Sequence, residues 1–433
     1  VNIGGYVGLA ERNSRFENIN NFSSEADCEY GIINLTVTDA NANSRLNVGG
    51  MVGRADTLNI NNVNYYGNIN LGSDVILLNA NTIYAGGISG YLTNSQFNGY
   101  VNGYAATSYN IIKESNHLLN INVYSNGAVL YVGGSLGYSS NNQFVTINNA
   151  TNINIYGNYK ADLSTKTLNI GGLIGYVVKS GTKNNEINNA FNAGDISVNL
   201  NKSEPEISNV VANIGGLVGY AANTTITNAI NDAYISGNSN IGGIVGYLTG
   251  NSTISNSMNT SVSSSNFIDA YDNDSRVGGI VGFVESNNPA GAGIYTIYLR
   301  DNINRGEITG STYVGGLYGF IDGTGEVYVD GMGNADAGLS DNIGEVSGQQ
   351  YVGGIAGSSN ALIERVTNGT VIDGVRYGNI TILAGVEAKF AGGVVGYQRN
   401  SIYEVINNGM VEKIGTVAST QIGGIIGSFY AGS

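Results

Sequence analysis

The residues in this chain best placed to do chemistry are carboxylates. Asp269, Asp272 and Asp274, in IDAYDNDSR, offer oxygen ligands at alternate spacing, the kind of array by which a loop wraps a hard cation, and they point to Ca²⁺. DGMGNAD, with Asp330 and Asp336, is a looser version of the same idea. Neither segment carries a full calcium-loop pattern, and acidic loops are commonly just solvated, so calcium is the one cofactor the sequence suggests. Asp195 and Glu307 occupy equivalent places in two related segments. That reads as surface decoration of a repeat, because carboxylates that attack a polysaccharide must form a one-off pair that interrupts it. His117 is the only histidine, so the HExxH zinc site of a metalloprotease cannot lie within residues 1–433. Cys28 is the only cysteine, which rules out an internal disulfide and leaves the redox compartment open. No catalytic set is expected.

Glycine and aromatic residues form the other constellation. The phrases GGLVGY (215–220) and GGIVGY (242–247) have the glycine density of a phosphate-cradling loop. Such a loop stands once, between a strand and a helix, whereas this phrase recurs along the whole chain without helical patterning, and no bound cofactor follows from it. An aromatic residue closes most copies, as at Tyr176, Tyr220, Tyr247, Phe283 and Phe320. Stacked in register, these rings would make a ladder, and Tyr176, Tyr220 and Tyr247 are the candidates for contact with a sugar or a protein partner. Packing at a corner of the fold is the simpler reading, since Phe replaces Tyr freely.

What must position these residues is a repeat. The glycine pair opens at Gly4, Gly49, Gly86, Gly133, Gly171, Gly215, Gly242, Gly278, Gly315, Gly353, Gly392 and Gly423, twelve marks spaced by 27 to 47 residues. Ile, Val or Ala precedes every pair. A second phrase trails the first: INNAFNAGDI (187–196), ITNAINDAYI (226–235), LRDNINRGEI (299–308), INNVNYYGNI (60–69) and IYEVINNGMV (402–411) share an aliphatic start, a polar middle with Asn, and an aliphatic end. Three glycines in so short a span cost a helix roughly 1 kcal/mol each, so the phrases read as short strands and turns.

One copy alone exposes its aliphatic face; copies stacked about 4.8 Å apart bury a continuous apolar column. The expected architecture is therefore all-β, a right-handed parallel β-solenoid of about twelve repeats running through 1–433 as a single repeat domain, roughly 55–60 Å long. The tightest spacing, Gly215 to Gly242, suggests three strands and three corners per turn. Stacked like charges repel, which accounts for only 12% charged residues beside 65 Gly and 29 Tyr. In GGLVG both residues after the pair are aliphatic, so either the glycines bend the chain and bury both, or something covers the outer one. Segments 93–130, 178–212 and 284–312 exceed the minimal turn and should project as loops, where partner recognition commonly lives. The chain starts inside one copy at Ile3 and ends inside another at Ile426. The expectation is that the protein is part of a longer chain, or that its ends meet other copies in a filament.

The pattern GG-aliphatic-aliphatic-G-aromatic, in GGLVGY (215–220), GGIVGY (242–247) and GGIVGF (278–283), resembles the GLUG repeat, and the likeness covers nearly the whole chain. The resemblance implies a bacterial protein that is secreted or displayed on the cell surface, with the repeats forming a β-solenoid beside other modules, as in adhesin-like proteins and the noncatalytic parts of immunoglobulin A-cleaving metalloproteases. Net charge −14 disfavours nucleic acid and anionic membrane as partners, and no apolar run approaches the roughly 18 residues of a spanning helix. The function expected is a noncatalytic stalk or adhesive shaft binding a protein, a glycan or copies of itself. A carbohydrate-active β-helix enzyme and the accessory solenoid of a larger secreted protease are the alternatives.

Overall fold

The structure, a computed structural model, describes residues 1–11, 14–17, 32–35, 44–61, 63–65, 67–102, 119–125, 128–157, 166–180, 184–200, 210–260, 267–270, 275–287, 294–323, 325–331, 341–383, 389–415 and 420–430. Among them there is no helix. The chain divides into two compact units, Val1–Tyr220 and Ala221–Ser433, and each holds six of the twelve glycine pairs.

Each unit is a parallel β-solenoid. A coil of the first unit runs through four walls: Lys166–Gly171, Ile174–Val178, Asn185–Asn192 and Ile196–Leu200. Like residues lie over like in the coil beneath, Leu168 on Leu130, Tyr176 on Tyr138, Asn192 on Asn149 and Ile196 on Ile153. Inside, Ile170, Leu173, Ile174, Val177, Ile187, Ala190, Ile196 and Val198 are at most 1% exposed. Each such Ile, Leu or Val side chain contributes about 1.5–3 kcal/mol relative to exposure, and only the neighbouring coils make that burial possible. The second unit repeats the scheme with Arg276–Gly278, Val281–Glu285, Thr296–Arg300 and Glu307–Thr309.

The turn thus has four walls where the spacing suggested three. The reason is the glycine pair, which is itself a corner, so that one phrase supplies two strands. Both aliphatic residues after it are buried, as Leu173 and Ile174 show, and this settles the GGLVG question in favour of a bend. The corner tolerates no side chain. A Cβ on Gly171 would stand 2.1 Å from the Ile174 carbonyl oxygen, and one on Gly172 would stand 2.0 Å from the Gly216 oxygen and 2.5 Å from the Asn192 side chain. Even at the corner the coils stay bonded, Gly172 N–H to Gly215 O at 3.1 Å and Leu173 N–H to Leu217 O at 2.9 Å.

The asparagine facing each second glycine is the sixth residue of the trailing phrase. In the second unit these side chains form a buried ladder. The Nδ2 of Asn231 donates to Oδ1 of Asn259 at 2.9 Å, Asn259 to Asn304 at 2.8 Å, Asn304 to Asn342 at 2.8 Å, Asn342 to Asn368 at 2.7 Å and Asn368 to Asn407 at 2.8 Å. Asn231, Asn304, Asn342 and Asn407 also grip their own turns, as where Asn304 donates to Gly306 O at 2.8 Å and accepts from Gly306 N–H at 3.2 Å. Both donors and the acceptor are used, which is what lets a polar group sit in a dry interior. In the first unit Asn149 and Asn192 pair in the same way at 2.8 Å. In the coil of Gly50 the buried ring of Tyr65 fills this place instead.

Three residues earlier in the phrase, the third wall turns on a left-handed residue. Thr146, Asn189, Asn228, Asn256, Asp301, Arg365 and Glu404 all have φ between 50° and 58°. Asn takes that conformation readily; Thr does not. One element departs from the coil: Thr370–Ile372 and Val375–Tyr377 form an antiparallel hairpin with Asp373 and Gly374 at its positive-φ tip. The stretches 103–118, 201–209 and 288–293 of the expected loops lie outside the described residues, whereas 185–192 and 196–200 of the middle insert form walls.

Candidate functional site

Two outward rows of aromatic rings meet along the glycine corner of each unit. The first row is the one visible in the sequence. Tyr91 stacks on Tyr138 with centroids 4.4 Å apart, Tyr138 on Tyr176 at 5.6 Å and Tyr176 on Tyr220 at 4.5 Å, all within 14° of parallel. The second row stands two residues before the pair, in YAGG and YVGG, where Tyr84 stacks on Tyr131 at 4.7 Å. The rows meet edge to face: Tyr84 and Tyr91 are 5.4 Å apart at 85°, Tyr131 and Tyr176 5.2 Å apart at 81°. The Arg45 guanidinium lies 4.3 Å from the centroids of both Tyr84 and Tyr91 and covers that end of the rows.

The second unit carries the same seam with more phenylalanine. Phe283 stacks on Phe320 at 5.5 Å, Tyr313 on Phe320 at 4.5 Å and Tyr313 on Tyr351 at 4.8 Å, and Arg276 sits 4.7 Å from Phe283. Tyr247 meets Phe283 edge-on at 5.1 Å, and its hydroxyl donates to the Glu285 carboxylate.

The candidates Tyr176, Tyr220 and Tyr247 are therefore half-buried members of a seam: Tyr176 stacks between Tyr138 and Tyr220, and Tyr247 meets Phe283 at right angles. Burial, and after it the neighbouring phenols, push the hydroxyls of Tyr138 and Tyr176 well above the usual tyrosine range; Tyr84 is pushed up to about 12, chiefly by burial, with Arg45 opposing. The seam presents ring edges and neutral hydroxyls, suited to hydrogen bonding and flat apolar contact and unsuited to proton transfer near neutrality. The second row and its arginines escaped the sequence reading, although an aromatic residue two places before the pair, at Tyr84, Tyr131, Tyr313, Tyr351 and Phe390, was there to find.

The acidic candidates fall elsewhere. Asp269 lies half-buried on the strand Phe267–Ala270, where burial raises its carboxyl, while Asp272, Asp274 and Asp336 lie outside the described residues, as do His117 and Cys28. Asp330 is held by Arg365 through two contacts of 2.9 and 2.6 Å. Asp195 and Glu307 are each exposed at the start of a fourth-wall strand in their own unit. Among the described residues, no three His, Cys, Asp or Glu side chains gather where a metal ion would sit, and no helix is long and apolar enough to cross a membrane. No family model, curated protein or solved structure matches this chain.

Proposed function

We propose that this chain is a noncatalytic repeat module, the shaft of a bacterial surface or secreted protein, with an adhesive outer face. The observation that supports it is where the repeated residues go. Glycine pair, asparagine and aliphatic residues are all engaged in holding coil to coil, so the pattern written twelve times describes a scaffold, and what varies around it is the outer surface. The GLUG resemblance supports a location outside the cell. The aromatic seam, half-exposed and rich in hydroxyls, is a surface for a protein or glycan partner, with Tyr176, Tyr220 and Tyr247 among its contacts.

The test is to coat beads with the purified chain and measure their retention under flow on immobilised host proteins and glycans, against beads coated with albumin. Specific retention is the expected result, and none on any surface would end the adhesive reading. Incubation with polysaccharides should release no new reducing ends; release would replace this reading with that of a β-helix enzyme.

A further inference from the structure

Among the described residues, the fourth wall of the first unit carries an outward column that the scaffold does not require. The outward column there runs Tyr124, Tyr156, Asn199 in register. Tyr124 and Tyr156 stack at 4.6 Å and 15°, and among the described residues no third ring continues the column, because the residue in register with Tyr156 on the next strand is Asn199. At the other end the strand Ile69–Leu71 leaves the wall at Gly72, whose φ of 82° admits glycine readily, and the chain makes a short turn before rejoining at Leu78. The turn is fixed by reciprocal bonds, Ser73 N–H to Ile76 O at 2.8 Å and Ile76 N–H to Ser73 O at 3.1 Å, and Leu78 N–H donates to Tyr124 O at 2.9 Å. Turn and column together border an open cleft of ≈ 420 Å³ lined by Asp74, Leu77, Tyr124, Tyr156, Gly157, Asn199 and Leu200.

The lining has two kinds of group. Tyr156, only partly buried, stacks on Tyr124 on one side and has Asn199, a residue without a ring, in register on the other. Around it stand the Asp74 carboxylate, two phenols and the Asn199 amide, which is steadied by a 2.9 Å bond to the Ser197 hydroxyl. Burial, then Tyr156, then Asp74 push the Tyr124 phenol up, which places that carboxylate within electrostatic reach of the ring. A flat apolar face ringed by hydrogen-bonding groups matches a pyranose, whose C–H face stacks on an aromatic ring while its hydroxyls bond at the rim. The volume falls within the roughly 300–1,000 Å³ of small-molecule sites. A carboxylate at the rim of a chain of net charge −14 disfavours sialylated and uronic sugars.

We infer that this cleft binds a neutral saccharide of one or two hexose units. The inference rests on the adhesive reading for its biological sense, and it adds a ligand class and a site away from the aromatic seam.

The test uses the whole chain and saturation-transfer NMR with cellobiose, maltose and lactose, each titrated to ~10 mM, and 3′-sialyllactose beside them. At least one neutral disaccharide should show transfer concentrated on its C–H face protons, with sialyllactose weaker. Tyr156→Ala should weaken binding about tenfold, the scale of a lost aromatic platform. Asn199→Tyr separates binding from folding: a third ring completes the stack, so the melting temperature should hold or rise while binding is lost. No transfer from any neutral sugar, or binding that survives Asn199→Tyr, would overturn the inference. Beads that adhere while no neutral disaccharide binds would remove the cleft and leave the adhesive reading standing, whereas beads that fail to adhere while the disaccharide still binds would do the reverse.

Discussion

Asn304 shows how much one residue does in this fold. Its amide donates to Asn342 and to Gly306 and accepts from Asn259 and Gly306, all away from water. Asn304→Ala strands groups on two neighbouring coils, and each buried unpaired group costs about 1–3 kcal/mol; urea denaturation should show a loss at the upper end of that range. Asn304→Asp should be worse at neutral pH, since a carboxylate would face two carbonyl-type acceptors in a dry site. Burial would raise that carboxyl's folded pKa above its unfolded value near 3.9. The mutant's stability should therefore be greatest in acid and decline as pH rises through the folded pKa, a slope the parent lacks at this position. Thr146 offers the opposite case. It is exposed, β-branched and held at φ 58°, a conformation its counterparts Asn189, Asn228 and Asn256 adopt at less cost. Thr146→Asn should stabilise by about 1 kcal/mol in the same measurement.

Among elements, the aromatic seam makes a prediction about alkali. The phenols of Tyr84, Tyr131, Tyr138 and Tyr176 are all raised in the folded chain, first by burial, against about 10 when unfolded. The unfolded chain gives up these protons before the folded one does, so their contribution is intact below about pH 10 and is lost as pH climbs through the raised values. Melting temperature should fall steeply over that interval, with phenolate absorbance appearing in step with unfolding. The hairpin between Gly369 and Gly378 makes another. Asn368 donates to Gly378 O at 2.9 Å, the bond that other coils make to the residue two places on, as from Asn304 to Gly306. Removing residues 370–377 would put Gly378 two places after Asn368 and restore the ordinary coil, so the deletion should fold with a melting temperature within a few degrees of the parent. The hairpin's exposed apolar residues Val371, Ile372 and Val375 support that expectation, since little of the core depends on them.

At the scale of the whole chain, stability is a matter of neighbours. Ile170→Asp would bury an unpaired charge between coils, a loss of several kcal/mol. Hydrogen exchange should quicken first in the flanking strands Val129–Gly133 and Val210–Gly215 and less in coils farther off, as expected when each repeat leans on the next. The stacked architecture was legible in the sequence because period and aliphatic spacing are properties of a single line of residues. The number of walls was not: whether GGLVG is one bent strand or two depends on close approach between coils, which shows only when Gly172 is seen against Gly216 and Asn192. The asparagine ladder was visible as a recurrent letter and unreadable as a bond, since its partner lies 26 to 45 residues away. Tyr156 and Asn199 carried no sign of the cleft, because it depends on the turn after Gly72 lying beside the Tyr124–Tyr156 stack, a meeting of distant residues. The glycine corner has one more outcome. A coil's corner and amide are completed by another coil of the same design, so a stretch of DNA encoding one such block can be duplicated or lost with both new joins already fitted, and a gene built this way can lengthen or shorten its product by recombination without inventing any new contact.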